Sequence, residues 1–134
     1  MKAITVQQPW AWAIAYGGKR VENRTWSTTY RGPLAIHAGK RIDRGVEDLV
    51  AGLAGVDTLP GKVNILGAIV ATATLVAVHR SGREPNCSPW AAHGQYHFVL
   101  DHVRPLATPI ACNGALGFWD VPAGVLEQVE AATS

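Results

Sequence analysis

Cysteine is scarce in this chain: Cys87 and Cys112 are the only two among 134 residues. Two isolated cysteines build no disulfide framework. The N-terminus also starts directly on "KAITV", without the basic-then-apolar layout of a secretory leader, so free thiols and a cytoplasmic location are expected. Long apolar runs are missing as well: every stretch of membrane-spanning length is broken by glycine, proline or polar residues, so no membrane association is expected. Charged residues make up only 16% of the chain, yet an apolar share of 48% excludes disorder. With no linker, repeat or low-complexity tract, residues 1–134 read as a single soluble domain, long enough to close its own core.

What charge there is lies unevenly. Residues 1–44 carry eight Lys/Arg against two acids, a balance of +6, whereas residues 45–134 carry four against eight, a balance of −4. Such a division can give a molecule of net charge +2 one positive face that attracts phosphates. The same numbers fit a solvated surface on which the charges interleave after folding.

The hydrophobic pattern gives the elements. "KAITV" alternates as a short strand, and Pro9 suits the first turn of a helix running to Tyr16, which Gly17 and Gly18 stop. "KRVENRTW" reads as an extended segment in which Glu22, Arg24 and Trp26 point one way, with Lys19, out of phase, joining them either from the turn after the helix or through a bulge. A turn at Gly32-Pro33 leads into a core strand from Leu34 to His37, which carries His37 and Lys40 to its far end. "DRGVEDLVAGLAG" supports a second helix with Asp43 as its N-cap. The branched run "NILGAIVATATLVAVH" predicts a long, central, bent or bulged strand, and "REPNCSPWAAHGQ" a polar loop. "YHFVLDHVRPL" and "GALGFWDV" add strands, and a short helix follows Pro122. The fold class is α+β: five to six strands with two to three inserted or flanking helices, the sheet partly closed into a small mixed β-barrel.

Gly17 to Arg24 spell G-x-K-x-x-E-x-R, with "QPWAWAI" before and "RTW…YRGPLAIHAGK" after. This pattern resembles the signature of the ASCH domain family, whose β-barrel is similar to the PUA domain, and "YHFVLDHVRPL" and "GALGFW" extend the likeness over roughly residues 1–120. The resemblance implies a cleft between the first helix and the barrel, with RNA or another nucleic-acid component as ligand. Members of the family differ in activity: some are RNA-binding modules, some ribonucleases, and one branch hydrolyses the amide of N4-acetylcytidine.

The residues agree in outline with that expectation. Lys19 and Arg24 can grip phosphate, and Glu22 can either orient Arg24 through a charge-assisted hydrogen bond or accept from a base edge. Trp10, Trp26 and Tyr30 lie beside these charges in sequence, and unstacked bases bind to aromatic and guanidinium planes, so single-stranded RNA or a nucleotide fits better than a rigid duplex. Arg31, His37 and Lys40 complete the candidate binding set. Each also has a structural alternative: Glu22 with Arg24 as an ion pair closing the barrel, Trp12 as core, Arg31 solvating its turn, His37 as a satisfied core histidine.

For a hydrolase, Lys19 and Glu22 are the candidate catalytic pair, Lys19 as a desolvated general base or as a charged oxyanion stabiliser. In the acetylcytidine branch a threonine nucleophile lies three residues after the lysine; here that position is Glu22, and residues 63–83 lack the acid of a later strand. His93 and His97 have a zinc-like H-x₃-H spacing and could join Cys87 and Cys112, but the cysteines stand 25 positions apart without a C-x₂-C knuckle. "PNCSPW" therefore reads as a packed loop, and no metal, cofactor or protein partner is expected.

Overall fold

The computed structural model describes residues 1–80 and 87–133; residues 83–86 of the expected polar loop lie outside the described residues. Six strands form one mixed sheet: β1 (Lys2–Gln8), β2 (Val21–Arg24), β3 (Gly32–Ile42), β4 (Ala68–Arg80), β5 (Tyr96–Ala111) and β6 (Phe118–Asp120), in the order β2-β5-β4-β3-β1-β6. Among the described residues three helices accompany it, α1 (Trp10–Tyr16), α2 (Glu47–Ala54) and α3 (Ala123–Thr133), with a 3-10 turn at Gly61–Asn64. The architecture is the α+β class expected. Strand β1 runs parallel to β3, and the other pairings are antiparallel. As expected, the branched run makes a long interior strand, β4, and its pairing with β5 shifts register three times, which bends both.

The expected barrel is not closed by hydrogen bonds. β2 and β6 are the two edges of the sheet. The sheet curls, and its edges meet through rings instead: Trp26, just beyond β2, stands edge-on to Phe98 of β5 at 5.1 Å and to Phe118 of β6 at 5.3 Å. Tyr30 adds a further edge contact to Phe118 at 5.7 Å. Aromatic pairs in this geometry contribute about 0.5–1.5 kcal/mol beyond the area they bury.

Helix α1 has only seven residues and cannot stand alone. It is held on both sides. Ala11, Ile14 and Ala15 enter the main core with Ile4, Leu34, Ile36, Leu75 and Phe98, while Trp12 and Ala13 pack with Val50 of α2 and Trp90. The buried Gln8 supplies the cap that Pro9 cannot: its Oε1 accepts the Trp12 N–H at 2.9 Å, and its Nε2 donates to the Ile65 carbonyl at 3.0 Å. At the other end Arg20 donates to the Ile14 carbonyl at 3.1 Å, which satisfies an orphan acceptor of the last turn. Gly18, at φ +79°, then turns the chain back, a conformation costly for any residue with a Cβ.

Helix α2 corrects one expectation. It starts at Glu47, not at Asp43, and no side chain caps it. Asp43 is held elsewhere, by a bond that ties it to α1.

Candidate functional site

The turn at Gly18 delivers Lys19 beneath α1, and β2 follows at once. Lys19 Nζ lies 3.1 Å from Glu22 Oε1 and also donates to the Val21 carbonyl. Arg24 grips the other carboxylate oxygen, with Nε at 3.0 Å and Nη2 at 2.8 Å from Glu22 Oε2, and Nη2 reaches the Thr5 carbonyl of β1 at 2.9 Å. Ammonium, carboxylate and guanidinium thus form one continuous clamp. Its first two members are buried, Lys19 1% exposed and Glu22 8%, while Arg24 stays partly open. Burial alone would push the Glu22 carboxyl up, but the Lys19 and Arg24 charges and their hydrogen bonds outweigh it and hold the group below its ordinary value.

The clamp lies in the floor of a cleft of about 1170 Å³. Trp10 forms part of one wall. Its indole N–H donates to Asp43 Oδ2 at 2.8 Å, its ring stands edge-on to Trp90 at 6.5 Å, and Lys19 Nζ lies 5.7 Å from its centroid. Lys40 and Arg41, both exposed, line the cleft from the last residues of β3. Opposite, Asn23 latches the segment after Cys87: its Nδ2 donates to the Trp90 carbonyl at 2.9 Å, and its Oδ1 accepts the Ala92 N–H at 2.8 Å.

His37 is 2% exposed and belongs to a closed network. Nε2 lies 2.8 Å from the Cys112 carbonyl, which can only accept, so the proton sits on Nε2 and Nδ1 accepts from the Thr5 hydroxyl at 3.2 Å. Trp119 Nε1 donates to the same Thr5 oxygen at 3.1 Å. The loop above is close enough that a Cβ on Gly114 would stand 2.4 Å from Thr5 Oγ1, so only glycine fits there. Burial lowers the His37 pKa, with partial opposition from the Cys112 carbonyl bond.

Of the residues singled out from the sequence, Lys19, Glu22, Arg24, Trp10, Trp26, His37 and Lys40 line this one cleft. Tyr30 and Arg31 do not. Tyr30 packs on Phe118 and donates to the Pro33 carbonyl, while Arg31 donates to the carbonyls of Thr28 and Tyr30 within its own turn. Sequence reasoning missed Arg41, Asn23, Thr5 and Trp90. Arg41 could have been found from its place beside Lys40; Trp90 had no local signal, because its partner Trp10 lies far back in the chain.

Comparison with known proteins agrees with this architecture. A family model described as the ASCH domain matches residues 4–100. None of the curated proteins matches in sequence. Among solved structures, ASCH from Zymomonas mobilis is 13% identical, with 97% of this chain and 93% of that chain covered at a TM-score of 0.58. A single-residue variant of the same protein is 16% identical over 97% of this chain and 94% of that chain, at a TM-score of 0.56. At that identity the likeness speaks to the fold; the matched sequence pattern, which spans most of the sheet and the whole clamp, shows that the chain belongs to the ASCH domain family.

Proposed function

We propose that the chain binds single-stranded RNA, or a nucleotide unit of it, in the cleft above the Lys19–Glu22–Arg24 clamp. The observation that carries this reading is the joining of cations and indoles around one hollow. Arg24, Lys40 and Arg41 offer donors to phosphate, while Trp10 and Trp26 lie beside them. Stacking on aromatics contributes about 1–3 kcal/mol per base and needs bases free of a duplex, so a single strand suits the cleft better.

The clamp favours binding over hydrolysis. A catalytic Lys19 needs a free amine or an ammonium aimed at substrate, but its nitrogen is spent on Glu22 and the Val21 carbonyl. Glu22, the other candidate catalytic group, has one oxygen on Lys19 and the other on Arg24, which leaves it poorly placed to activate water. Both act as positioning residues that fix Arg24 at the cleft floor.

Fluorescence titration with a short single-stranded RNA tests this. Quenching of tryptophan emission is expected, with affinity that falls steeply as salt rises and weaker binding of the matched duplex. Equal affinity for duplex and single strand, or no binding at low salt, would overturn the reading.

A further inference from the structure

At the end of the sheet where β4 and β5 turn into one another, three ligand-type side chains converge that the cleft does not use. His79 of β4 and His97 of β5 are direct cross-strand partners, so both rings stand on one face of the sheet; they lie 5.4 Å apart and nearly perpendicular, at 83°. Cys87 brings its sulfur to 3.4 Å from His97 Nδ1. One ligand atom from each of His79, Cys87 and His97 lies within 4.8 Å of the other two. We propose that these three residues bind a divalent metal ion of the zinc class.

The geometry fits that ion. A tetrahedral zinc with a Zn–S bond near 2.3 Å and a Zn–N bond near 2.05 Å separates sulfur from nitrogen by about 3.6 Å, close to the spacing of Cys87 and His97. One thiolate with two imidazoles selects zinc or its first-row neighbours over hard, oxygen-seeking cations. His97 is also held in the manner of a ligand. It is 2% exposed, and its Nε2 lies 2.7 Å from the Ala92 carbonyl. A carbonyl can only accept, so the proton occupies Nε2 and the Nδ1 lone pair turns toward the cysteine, an orientation typical of metal-bound histidine. His79 and Cys87 are exposed, which gives an ion a way in and leaves a fourth position to water.

The sequence misdirects here. Its zinc-like spacing is His93 with His97, and its second cysteine is Cys112. His93 is exposed and outside the group, and the Cys112 carbonyl serves His37 at another part of the molecule. His79 is joined to the others only by strand pairing.

The site has a structural consequence. The carbonyl that orients His97 belongs to Ala92, the residue whose N–H Asn23 holds, and Pro89 to Ala92 line the cleft. An ion bridging Cys87 to both strands would pin this wall from the side opposite Asn23.

Metal-free protein purified without a histidine tag, titrated with Co²⁺ and then Zn²⁺, tests the proposal. One equivalent of Co²⁺ should bind with a thiolate-to-metal charge-transfer band that Zn²⁺ bleaches. Cys87→Ser should abolish the band, and His79→Ala should weaken zinc binding by more than the roughly 10–100-fold that loss of an outer-shell partner costs; both residues are exposed, so folding should be kept. Cys112→Ser should leave binding unchanged. Zinc should also slow amide exchange over residues 88–95. Absence of the band, zinc affinity indifferent to Cys87→Ser, or unchanged exchange over that segment would overturn it.

Discussion

At the floor of the cleft a buried cation and a buried acid are locked to a second cation that is only partly exposed, whereas at its rim Lys40 and Arg41 stand exposed. The residue types are the same, but the physics is opposite. Taking charges out of water costs several kcal/mol per ion, and the cost is met at the floor because Glu22 is engaged from both sides and Arg24 finds the Thr5 carbonyl. The rim cations make no such investment, and in the proposed function they act by drawing in anions over a distance set by salt. The floor therefore sets shape, and the rim sets attraction.

The strongest way to break this contrast is Glu22→Gln. It leaves the buried Lys19 and the partly exposed Arg24 without their anion, and a loss of about 3–5 kcal/mol is expected in denaturant unfolding. A loss below about 1 kcal/mol would mean that the floor is as wet as the rim. The opposite half of the comparison is probed by Lys40→Ala and Arg41→Ala. Stability should stay within about 0.5 kcal/mol, while RNA affinity drops and the logarithmic salt slope shrinks by about 0.7 for each phosphate contact removed. An unchanged slope in the double variant would show that the rim meets no phosphate.

A smaller effect separates the floor from its neighbour His37 by pH. Glu22 has a folded pKa below its ordinary value of 4.5, so its contribution is complete above that value and is lost as pH falls through the lower folded one. His37 is lowered from 6.5 by burial, so on acidification the unfolded chain takes up that proton first and stability begins to fall near the ordinary histidine range. Unfolding measured from about pH 7 down to about 5 should therefore show a decline that His37→Gln flattens, with the Glu22 decline left in place at lower pH. A profile unaltered by that substitution would place the early decline on some other group.

Much of the fold was legible because its signals are local. The glycines after Tyr16, the branched run of β4 and the alternation around Phe98 each announce an element from adjacent residues. The clamp was legible for a related reason: Lys19, Glu22 and Arg24 fall within one turn and one strand, so a short motif nearly fixes their meeting. What could not be read depends on partners distant in sequence. Asp43 looks like a helix cap because it precedes a helical pattern, yet the Trp10 indole claims it. A partly closed barrel was expected, but how its edges meet was not legible, since nothing in the sequence says that Trp26 will meet Phe118. Tyr30 and Arg31 sit beside the motif and still face away from the cleft, because proximity along the chain does not determine direction once a strand has ended at Arg24.

Strand β1 sits between two neighbours, with Lys2 opposite both Leu34 and Asp120. β1 must therefore wait for β6, which lies far downstream in the chain, before its second flank is covered. Arg24 closes onto the Thr5 carbonyl from nearby in the chain, whereas Trp119 reaches the Thr5 hydroxyl from far along it, so this side of the cleft is completed by a contact with a high loop-closure cost. A chain that stopped before Phe118 would hold the signature motif and every residue that lines the cleft, and still lack the ring and the indole N–H that fasten β6 to Trp26 and Thr5.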